Sequence, residues 1–287
     1  MTYRDVWHQS DDGLKLYARD YGSAAAPLTL LCMHGLSRNS ADFGDLATAL
    51  QGEYRIVAVD QRGRGRSAWD ADSANYTPVR YVADMSALIE RLALERLVLV
   101  GTSMGGIMAM MMAAAQPGRF RGVVLNDIGP VVSGQGLARI MGTVGKAPPV
   151  RTWDEAIDQA KAFNGLAFPH YRREDWARWV RRTYAEDAAG EPRLLYDPAI
   201  AEPMRASGSN AAPPDAWPLF EALRDLPVLA LRGALSDILD EACFAEMQRR
   251  HPQLTPVTVP EVGHAPMLDE PGVVDYIRAF LGRIHIA

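Results

Sequence analysis

The architecture of this chain is set by residues 97–106, which read Leu-Val-Leu-Val-Gly-Thr-Ser-Met-Gly-Gly. The four apolar residues predict a buried strand, and an apolar helix over 105–115 follows almost at once. Between them lies a G-x-S-x-G motif centred on Ser103. Glycine is needed two residues before and after the serine because side chains there would collide with neighbouring backbone in so tight a turn. The pattern predicts a nucleophilic serine at the amino end of a helix, where free N–H groups and the helix dipole favour negative charge.

Strand patterns recur on both sides of this turn. Residues 5–8 and 14–20 alternate apolar with polar around Asp11-Asp12-Gly13, as a half-buried hairpin does. Later runs are almost continuously apolar, which is typical of strands covered on both faces. These runs are 28–33, 55–59, 97–100, 123–125, 228–231 and 256–259. Helical patterns such as 81–94 separate most of them. We therefore predict an α/β fold: a mostly parallel central sheet with an antiparallel N-terminal hairpin and helices on both faces.

The alternation stops between about residues 130 and 218. This segment has helical patterns at 153–163 and 173–184, joints rich in proline and glycine, and four of the six tryptophans. We predict a helical cap, or lid, over residues 131–217, inserted into a core domain made of 1–130 and 218–287. Aromatic residues in such a cap either line a substrate pocket or simply pack the insertion onto the core. The candidates for the pocket are Trp153, Phe168, Trp176 and Trp179.

Several spaced motifs resemble those of the α/β-hydrolase superfamily. His34-Gly35 follows the strand 28–33, as the HG dipeptide does in that family. Residues 60–67, Asp-Gln-Arg-Gly-Arg-Gly-Arg-Ser, look like its D-x-R-G-x-G-x-S turn, and Gly263-His264 looks like its GH element. The resemblance covers nearly the whole chain. It implies a serine hydrolase with a helical cap, similar to carboxylesterases and to hydrolases of meta-cleavage products.

A serine nucleophile needs a histidine base that is oriented by a carboxylate. Of the six histidines, His264 follows the last strand, whereas the resemblance makes His34 structural. Four others do not follow a strand of the predicted sheet: His8, His170, His251 and His285. We predict His264 as the base.

Two carboxylates compete for the role of triad acid. Asp237 lies in the loop after the strand 228–231, and the order Ser, Asp, His is that of this fold. Asp127 also ends a strand, and some members of the fold place the acid there. We predict Asp237 as the acid and keep Asp127 as the alternative. Asp240 is expected to cap the helix that begins near Glu241, and Asp60 to stabilise a turn.

The resemblance implies an oxyanion hole made of two backbone N–H groups. One belongs to Met104, directly after the nucleophile, and the other to Leu36, in the loop after the HG strand. The expected chemistry is an acyl-enzyme mechanism, with no cofactor and no metal.

Composition excludes several other classes. Of 287 residues, 48% are hydrophobic and 23% charged, as in ordinary soluble globular proteins. The net charge of −5 and the lack of basic runs argue against nucleic acid as a partner. The two cysteines, the absence of an N-terminal apolar segment, and apolar stretches shorter than a membrane span predict a cytoplasmic protein without membrane association. The expected partner is a small acyl substrate; the oligomeric state is unknown from sequence.

The predicted function is hydrolysis of a small carboxylic ester, thioester or lactone. Dehalogenases and epoxide hydrolases of this fold have an aspartate nucleophile, so the serine argues against both. Cleavage of a carbon–carbon bond in ring meta-cleavage products is the alternative within the enzymes, with a cofactor-free perhydrolase as a weaker one. A ligand receptor of the same fold with slow turnover is the alternative outside them. Fold alone decides among none of these.

Overall fold

An eight-stranded sheet forms the centre of the computed structural model, which describes residues 2–206 and 215–286. Strands are numbered along the chain: β1 (Arg4–Gln9), β2 (Lys15–Tyr21), β3 (Thr29–Met33), β4 (Arg55–Asp60), β5 (Leu97–Thr102), β6 (Phe120–Asn126), β7 (Tyr184–Glu186), β8 (Pro192–Leu194), β9 (Val228–Gly233) and β10 (Leu254–Val259). The strands of the central sheet lie in the order β1-β2-β4-β3-β5-β6-β9-β10, and β7 pairs with β8 in a separate ribbon.

The direction of the strands confirms the predicted fold class. β1 pairs antiparallel with β2, and β2 pairs antiparallel with β4. All other pairs in the central sheet are parallel. The hairpin between β1 and β2 closes at Gly13, whose φ of +84° places it in the left-handed region that favours glycine. Parallel strands end at a common edge, so the loops after β3, β5, β6, β9 and β10 can contribute to one site.

Helices cover both faces of the sheet. Within the described residues they are α1 (Gly44–Leu50), α2 (Pro78–Arg91), α3 (Met104–Ala115), α4 (Gly134–Thr143), α5 (Trp153–Asn164), α6 (Arg173–Thr183), α7 (Glu202–Ala206), α8 (Trp217–Glu221), α9 (Glu241–Arg250) and α10 (Val273–Ile286). As expected, Asp240 caps α9, and its Oδ1 accepts a hydrogen bond of 2.7 Å from the N–H of Cys243. None of these helices is both long enough and apolar enough to cross a bilayer.

Alternate residues of the central strands enter two hydrophobic cores. On β3, Leu31 and Met33 join the core that contains α2 and α3, whereas Leu30 and Cys32 join the core that contains α1 and α10. Side chains of a strand point alternately to opposite faces, so a strand buried on both faces must be apolar throughout. This is why the central strands are visible in the sequence as continuous apolar runs.

The segment between β6 and β9 contains the helices α4–α8, and its described residues add no strand to the central sheet. Its β7–β8 ribbon was not predicted, because strands of three residues give too short a pattern to detect. The predicted cap boundaries of 131 and 217 stay a prediction, and residues 207–214 of that range lie outside the described part of the chain.

The turn after β4 is held by buried charges. Asp60 accepts backbone hydrogen bonds of 2.7 Å from both Ser40 and Arg66, in agreement with its expected role in stabilising the turn. The side chain of Arg62 is completely buried and pairs with the equally buried Asp84 at 2.6 Å. It also contacts Asp70 at 2.5 Å. A cation among buried carboxylates compensates charges that would otherwise be left without water or a partner.

Replacement of Arg62 by alanine should therefore lower the free energy of unfolding by about 3–5 kcal/mol, because it leaves buried carboxylate charge uncompensated. Urea denaturation followed by circular dichroism measures the loss. The matched control is Arg249→Ala, which removes an exposed arginine paired with Glu246 and should leave the transition nearly unchanged. Equal effects of the two substitutions would show that the buried pairs do not stabilise the fold.

Candidate active site

Ser103 lies on the sharp turn between β5 and α3. Its φ of +53° and ψ of −116° are unusual for a residue other than glycine. A Cβ atom on Gly101 would lie 2.3 Å from the carbonyl oxygen of Gly105, and one on Gly105 would lie 2.0 Å from that of Met33. Neither position can carry a side chain without moving backbone. The turn therefore requires both glycines of the motif, for the reason that the sequence suggested.

His264 lies next to the serine, in the loop after β10. Its Nε2 is 2.8 Å from Oγ of Ser103, and its side chain is largely buried. Asn126 connects the two loops: its Nδ2 donates to Oγ1 of Thr102 at 3.0 Å and to the carbonyl oxygen of Pro266 at 2.8 Å. The predicted nucleophile and base are thus within hydrogen-bond distance, on loops that are tied together.

Asp127, and not Asp237, is the carboxylate beside the histidine. Oδ2 of Asp127 is 2.8 Å from Nδ1 of His264, and the aspartate is completely buried at the end of β6. Its other contacts come from the loop after β9. The N–H of Gly233 donates to Oδ1 at 2.8 Å, and the hydroxyl of Ser236 donates to Oδ2 at 2.6 Å. The carboxylate is therefore held in place by three donors.

The preferred prediction for the acid, Asp237, is corrected by this geometry. Asp237 lies one residue after Ser236 but points to Arg139 of α4, with Nε–Oδ2 and Nη2–Oδ1 distances of 2.5 and 2.8 Å. The hydrogen bonds from Arg139 keep the pKa of Asp237 below its usual range. β6 and β9 are neighbours in the sheet, so both aspartates lie at the same edge. Only the conformation of the loops decides which one reaches the histidine.

The two predicted oxyanion donors flank Ser103. Met104 is the first residue of α3, so its N–H has no acceptor within the helix. Leu36 lines the same pocket as the serine, and the preceding Gly35 is so close that a Cβ atom on it would lie 3.7 Å from Cβ of Ser103. The placement of both residues is compatible with the predicted role.

His34 has the structural role that the resemblance implied. It is buried, its Nδ1 lies 2.7 Å from the carbonyl oxygen of Gly35, and its Nε2 accepts a hydrogen bond from the N–H of Gln61 at 3.0 Å. Burial lowers the pKa of His34 to about 3, so the ring is neutral at physiological pH. It joins the loop after β3 to the loop after β4. The remaining histidines do not line the Ser103 pocket within the described residues, and the side chain of His285 is outside them.

The pocket beside Ser103 is lined by loops at the carboxyl edge of the sheet and by residues of the segment between β6 and β9. Of the four aromatic residues predicted to line it, Trp179 alone does so among the described residues. Phe168 and Trp176 are buried against Trp179 and Tyr171 in an aromatic cluster. Trp153 lies under the guanidinium of Arg181 and donates to Glu186. Three of the four candidates therefore make packing contacts outside the pocket, which is the alternative that the sequence left open.

Sequence reasoning missed several residues of the pocket wall. Phe163 and Asn164 end α5, Ile140 lies on α4, and two arginines, Arg38 and Arg139, also line the pocket. A signal existed for Phe163, because it ends a predicted helix in the cap. No pattern in the sequence distinguishes the two arginines from the many others of the chain.

Glu270 anchors the loop that carries His264. Its Oε1 accepts a hydrogen bond of 2.6 Å from the N–H of Met267, a pocket residue. Its Oε2 is buried and has no hydrogen-bond partner among the described residues. Burial raises the pKa of Glu270 to about 7, because an ionised carboxylate would lose hydration there.

This raised pKa predicts a specific pH dependence of stability. The folded protein keeps the Glu270 proton up to about pH 7, whereas the unfolded chain releases it near its ordinary pKa of 4.5. The stabilisation is thus complete below pH 4.5 and is lost as the pH rises through 7, by up to about 3 kcal/mol. Urea denaturation at several pH values should show that Glu270→Gln removes this decline.

The control for this experiment is Glu261→Gln, which changes an exposed carboxylate of the same loop. It should leave the pH dependence as in the unmodified protein. If the Glu270→Gln variant follows the same curve as the unmodified protein between pH 4.5 and 8, the carboxyl of Glu270 ionises normally.

Comparison with known proteins places this site in a family. Residues 30–275 match the model of the alpha/beta hydrolase family. The chain is 38% identical to the 3-hydroxybutyrate-oligomer hydrolase of Cupriavidus necator, over 89% of this chain and 88% of that protein. It is 30% identical to the 2-(acetamidomethylene)succinate hydrolase of Mesorhizobium japonicum, over 88% and 85%. The crystal structure of an alpha/beta hydrolase from Novosphingobium aromaticivorans superposes with a TM-score of 0.92 at 42% identity, covering 98% of each chain. The chain belongs to the alpha/beta hydrolase family.

Proposed function

We propose that this hydrolase cleaves a carboxylic ester through a triad of Ser103, His264 and Asp127. The observation that carries the proposal is the unbroken hydrogen-bond chain from Oγ of Ser103 through the imidazole to Oδ2 of Asp127, with both links 2.8 Å long. Serine is a weak nucleophile unless a neighbouring base removes its proton. His264 is placed to act as that base in the required geometry.

In the acylation step, Nδ1 of His264 holds its proton toward Asp127, so Nε2 is free to take the proton of Ser103. The serine oxygen attacks the ester carbon, and the N–H groups of Met104 and Leu36 bind the oxyanion. The imidazolium then protonates the leaving alcohol. Water, deprotonated by the same histidine, attacks the acyl-enzyme and releases the acid.

Asp127 acts by holding the imidazole in one tautomer and by stabilising its charged form. The hydroxyl of Ser236 and the N–H of Gly233 fix the carboxylate, so we assign Ser236 as a positioning residue. It acts through Asp127 and does not touch the reacting atoms. This arrangement supports Asp127 as the acid in place of Asp237.

The names of two relatives narrow the class of substrate. Their names specify 3-hydroxybutyrate oligomers and 2-(acetamidomethylene)succinate, and both are carboxylate-bearing compounds. The pocket beside Ser103 is lined by apolar side chains and by two arginines. We infer that the substrate is a short ester of a hydroxy acid and not a long acyl chain.

Substitution of Ser103 by alanine should abolish steady-state hydrolysis of short p-nitrophenyl esters and labelling by a fluorophosphonate probe, since it removes the hydroxyl that is hydrogen-bonded to His264. Release of p-nitrophenol and gel fluorescence measure the two effects. A panel of acyl chain lengths, lactones and a vinylogous dienoate then separates ester hydrolysis from carbon–carbon bond cleavage. A single burst without further turnover by the unmodified protein would support a receptor instead.

The two aspartates can be separated with a neutral p-nitrophenyl ester. Asp127→Asn should lower kcat by about 10⁴-fold, the order of effect seen when a triad carboxylate becomes an amide in serine proteases. Asp237→Asn should retain most of kcat, because Asp237 does not contact His264. The opposite pattern would restore Asp237 as the acid. Ser236→Ala should lower kcat less than Asp127→Asn does, with KM little changed.

A further inference from the structure

Two arginines in the pocket have no part in the proposed triad. Arg38 and Arg139 line the same pocket as Ser103 and His264, among apolar residues such as Ile140 and Phe163. A guanidinium is always charged, and its placement in a partly apolar pocket is unfavourable unless an anion accompanies it. Each arginine has an aspartate partner, and the two pairs differ in how accessible the cation is to a ligand.

Arg38 is the less accessible of the two arginines. Its Nε and Nη2 donate to both oxygens of Asp42, at 2.7 and 2.6 Å, and its guanidinium lies 3.8 Å above the ring of Trp179. Its side chain is 13% exposed. An incoming carboxylate would have to compete with a neighbour only four residues away and with the aromatic ring.

Arg139 is more accessible than Arg38, and its helix is fixed to a neighbouring loop. α4 is fixed to the loop after β9 by a 3.0 Å hydrogen bond from the N–H of Ser133 to the carbonyl oxygen of Ile238. Gly136 packs so closely on that loop that a Cβ atom would lie 2.2 Å from the carbonyl oxygen of Asp237. Three residues further along the helix, Arg139 contacts the same loop and also reaches the pocket.

The Arg139–Asp237 pair is partly exposed, and Arg139 lines the pocket. The side chains of Arg139 and Asp237 are 28% and 31% exposed, whereas those of Arg38 and Asp42 are 13% and 14% exposed. Nη1 takes no part in either pair. Asp237 binds the guanidinium through a planar carboxylate. An anionic substrate would offer the same group. This also accounts for an aspartate at the edge of the site that does not contact the histidine.

We propose that Arg139 is a specificity-determining residue that binds a free carboxylate of the ester substrate, and that Asp237 holds the guanidinium in place and competes with that carboxylate. The inference rests on the proposed ester hydrolase function. It assigns the substrate class as esters of hydroxy acids whose acid group is free. Because Asp237 also repels an anion, its neutralisation should favour such substrates.

The test uses two substrates that differ in charge, 3-acetoxybutanoate and its neutral counterpart 3-acetoxybutanamide, with acetate release as the readout for both. The measured quantity is the ratio of kcat/KM for the acid to kcat/KM for the amide. Arg139→Ala should lower this ratio about tenfold or more, mainly through KM for the acid, as loss of a charge-assisted hydrogen bond does. Arg139→Lys should restore part of it, and Asp237→Asn should raise it.

The matched control is Arg173→Ala, which removes an arginine that is 54% exposed and does not line the pocket. It should leave the ratio unchanged. If Arg139→Ala changes kcat/KM for both substrates equally, the Arg139–Asp237 pair only joins α4 to the loop after β9. The inference is then wrong. It is also wrong if Arg38→Ala, and not Arg139→Ala, lowers the ratio.

Failure of the proposed function has a different signature. In that case the unmodified protein hydrolyses neither substrate, or Ser103→Ala retains the activity. If Arg139→Ala does not fold, the lysine variant and Asp237→Asn still decide the matter, because recognition of a carboxylate requires their ratios to move in opposite directions.

Discussion

The site depends on the close approach of three backbone segments under Ser103. Gly105, in the first turn of α3, rests on the carbonyl of Met33 at the end of β3, and Gly101 at the end of β5 rests on Gly105. This contact forces the chain from strand to helix within one residue and gives Ser103 its positive φ. Backbone strain of this kind costs about 1–3 kcal/mol and persists only where the surrounding packing compensates for it. Here the compensation comes from two hydrophobic cores on the two faces of the sheet.

A second strained residue completes the geometry. Asp127 has a φ of +55°, directly after β6, and its carboxylate is held by Gly233 and Ser236 as well as by His264. Two residues with positive φ, Ser103 and Asp127, thus lie at the two ends of one hydrogen-bond chain. The unusual backbone at both positions directs the short side chains of Ser103 and Asp127 toward His264 on a third loop. Neighbouring parallel strands make this feasible because their ends lie side by side at one edge of the sheet.

The segment between β6 and β9 contributes charged as well as aromatic side chains to the pocket wall. Trp153 and Trp176 make packing contacts outside the pocket, and Trp179 lies 3.8 Å from the guanidinium of Arg38 at the pocket wall. α4 brings Arg139 to the same wall by packing Gly136 against the loop that contains Asp237. The loop after β9 therefore serves two partners through adjacent residues: Ser236 faces the buried acid, and Asp237 faces the arginine. One loop conformation links the proposed chemistry to the proposed recognition of substrate.

The sequence by itself determined the features that depend on local pattern. Continuous apolar runs identified the central strands because both faces are buried, and the glycines around Ser103 identified the turn because no larger residue fits there. The order of motifs placed His264 at a strand end. Only the tertiary structure showed that Asp127, and not Asp237, lies beside His264, since both follow neighbouring strands and differ in the direction in which their loops turn. It likewise decided which aromatic residues and which arginines line the pocket. Such choices depend on contacts between residues far apart in the chain, of which local pattern carries no trace.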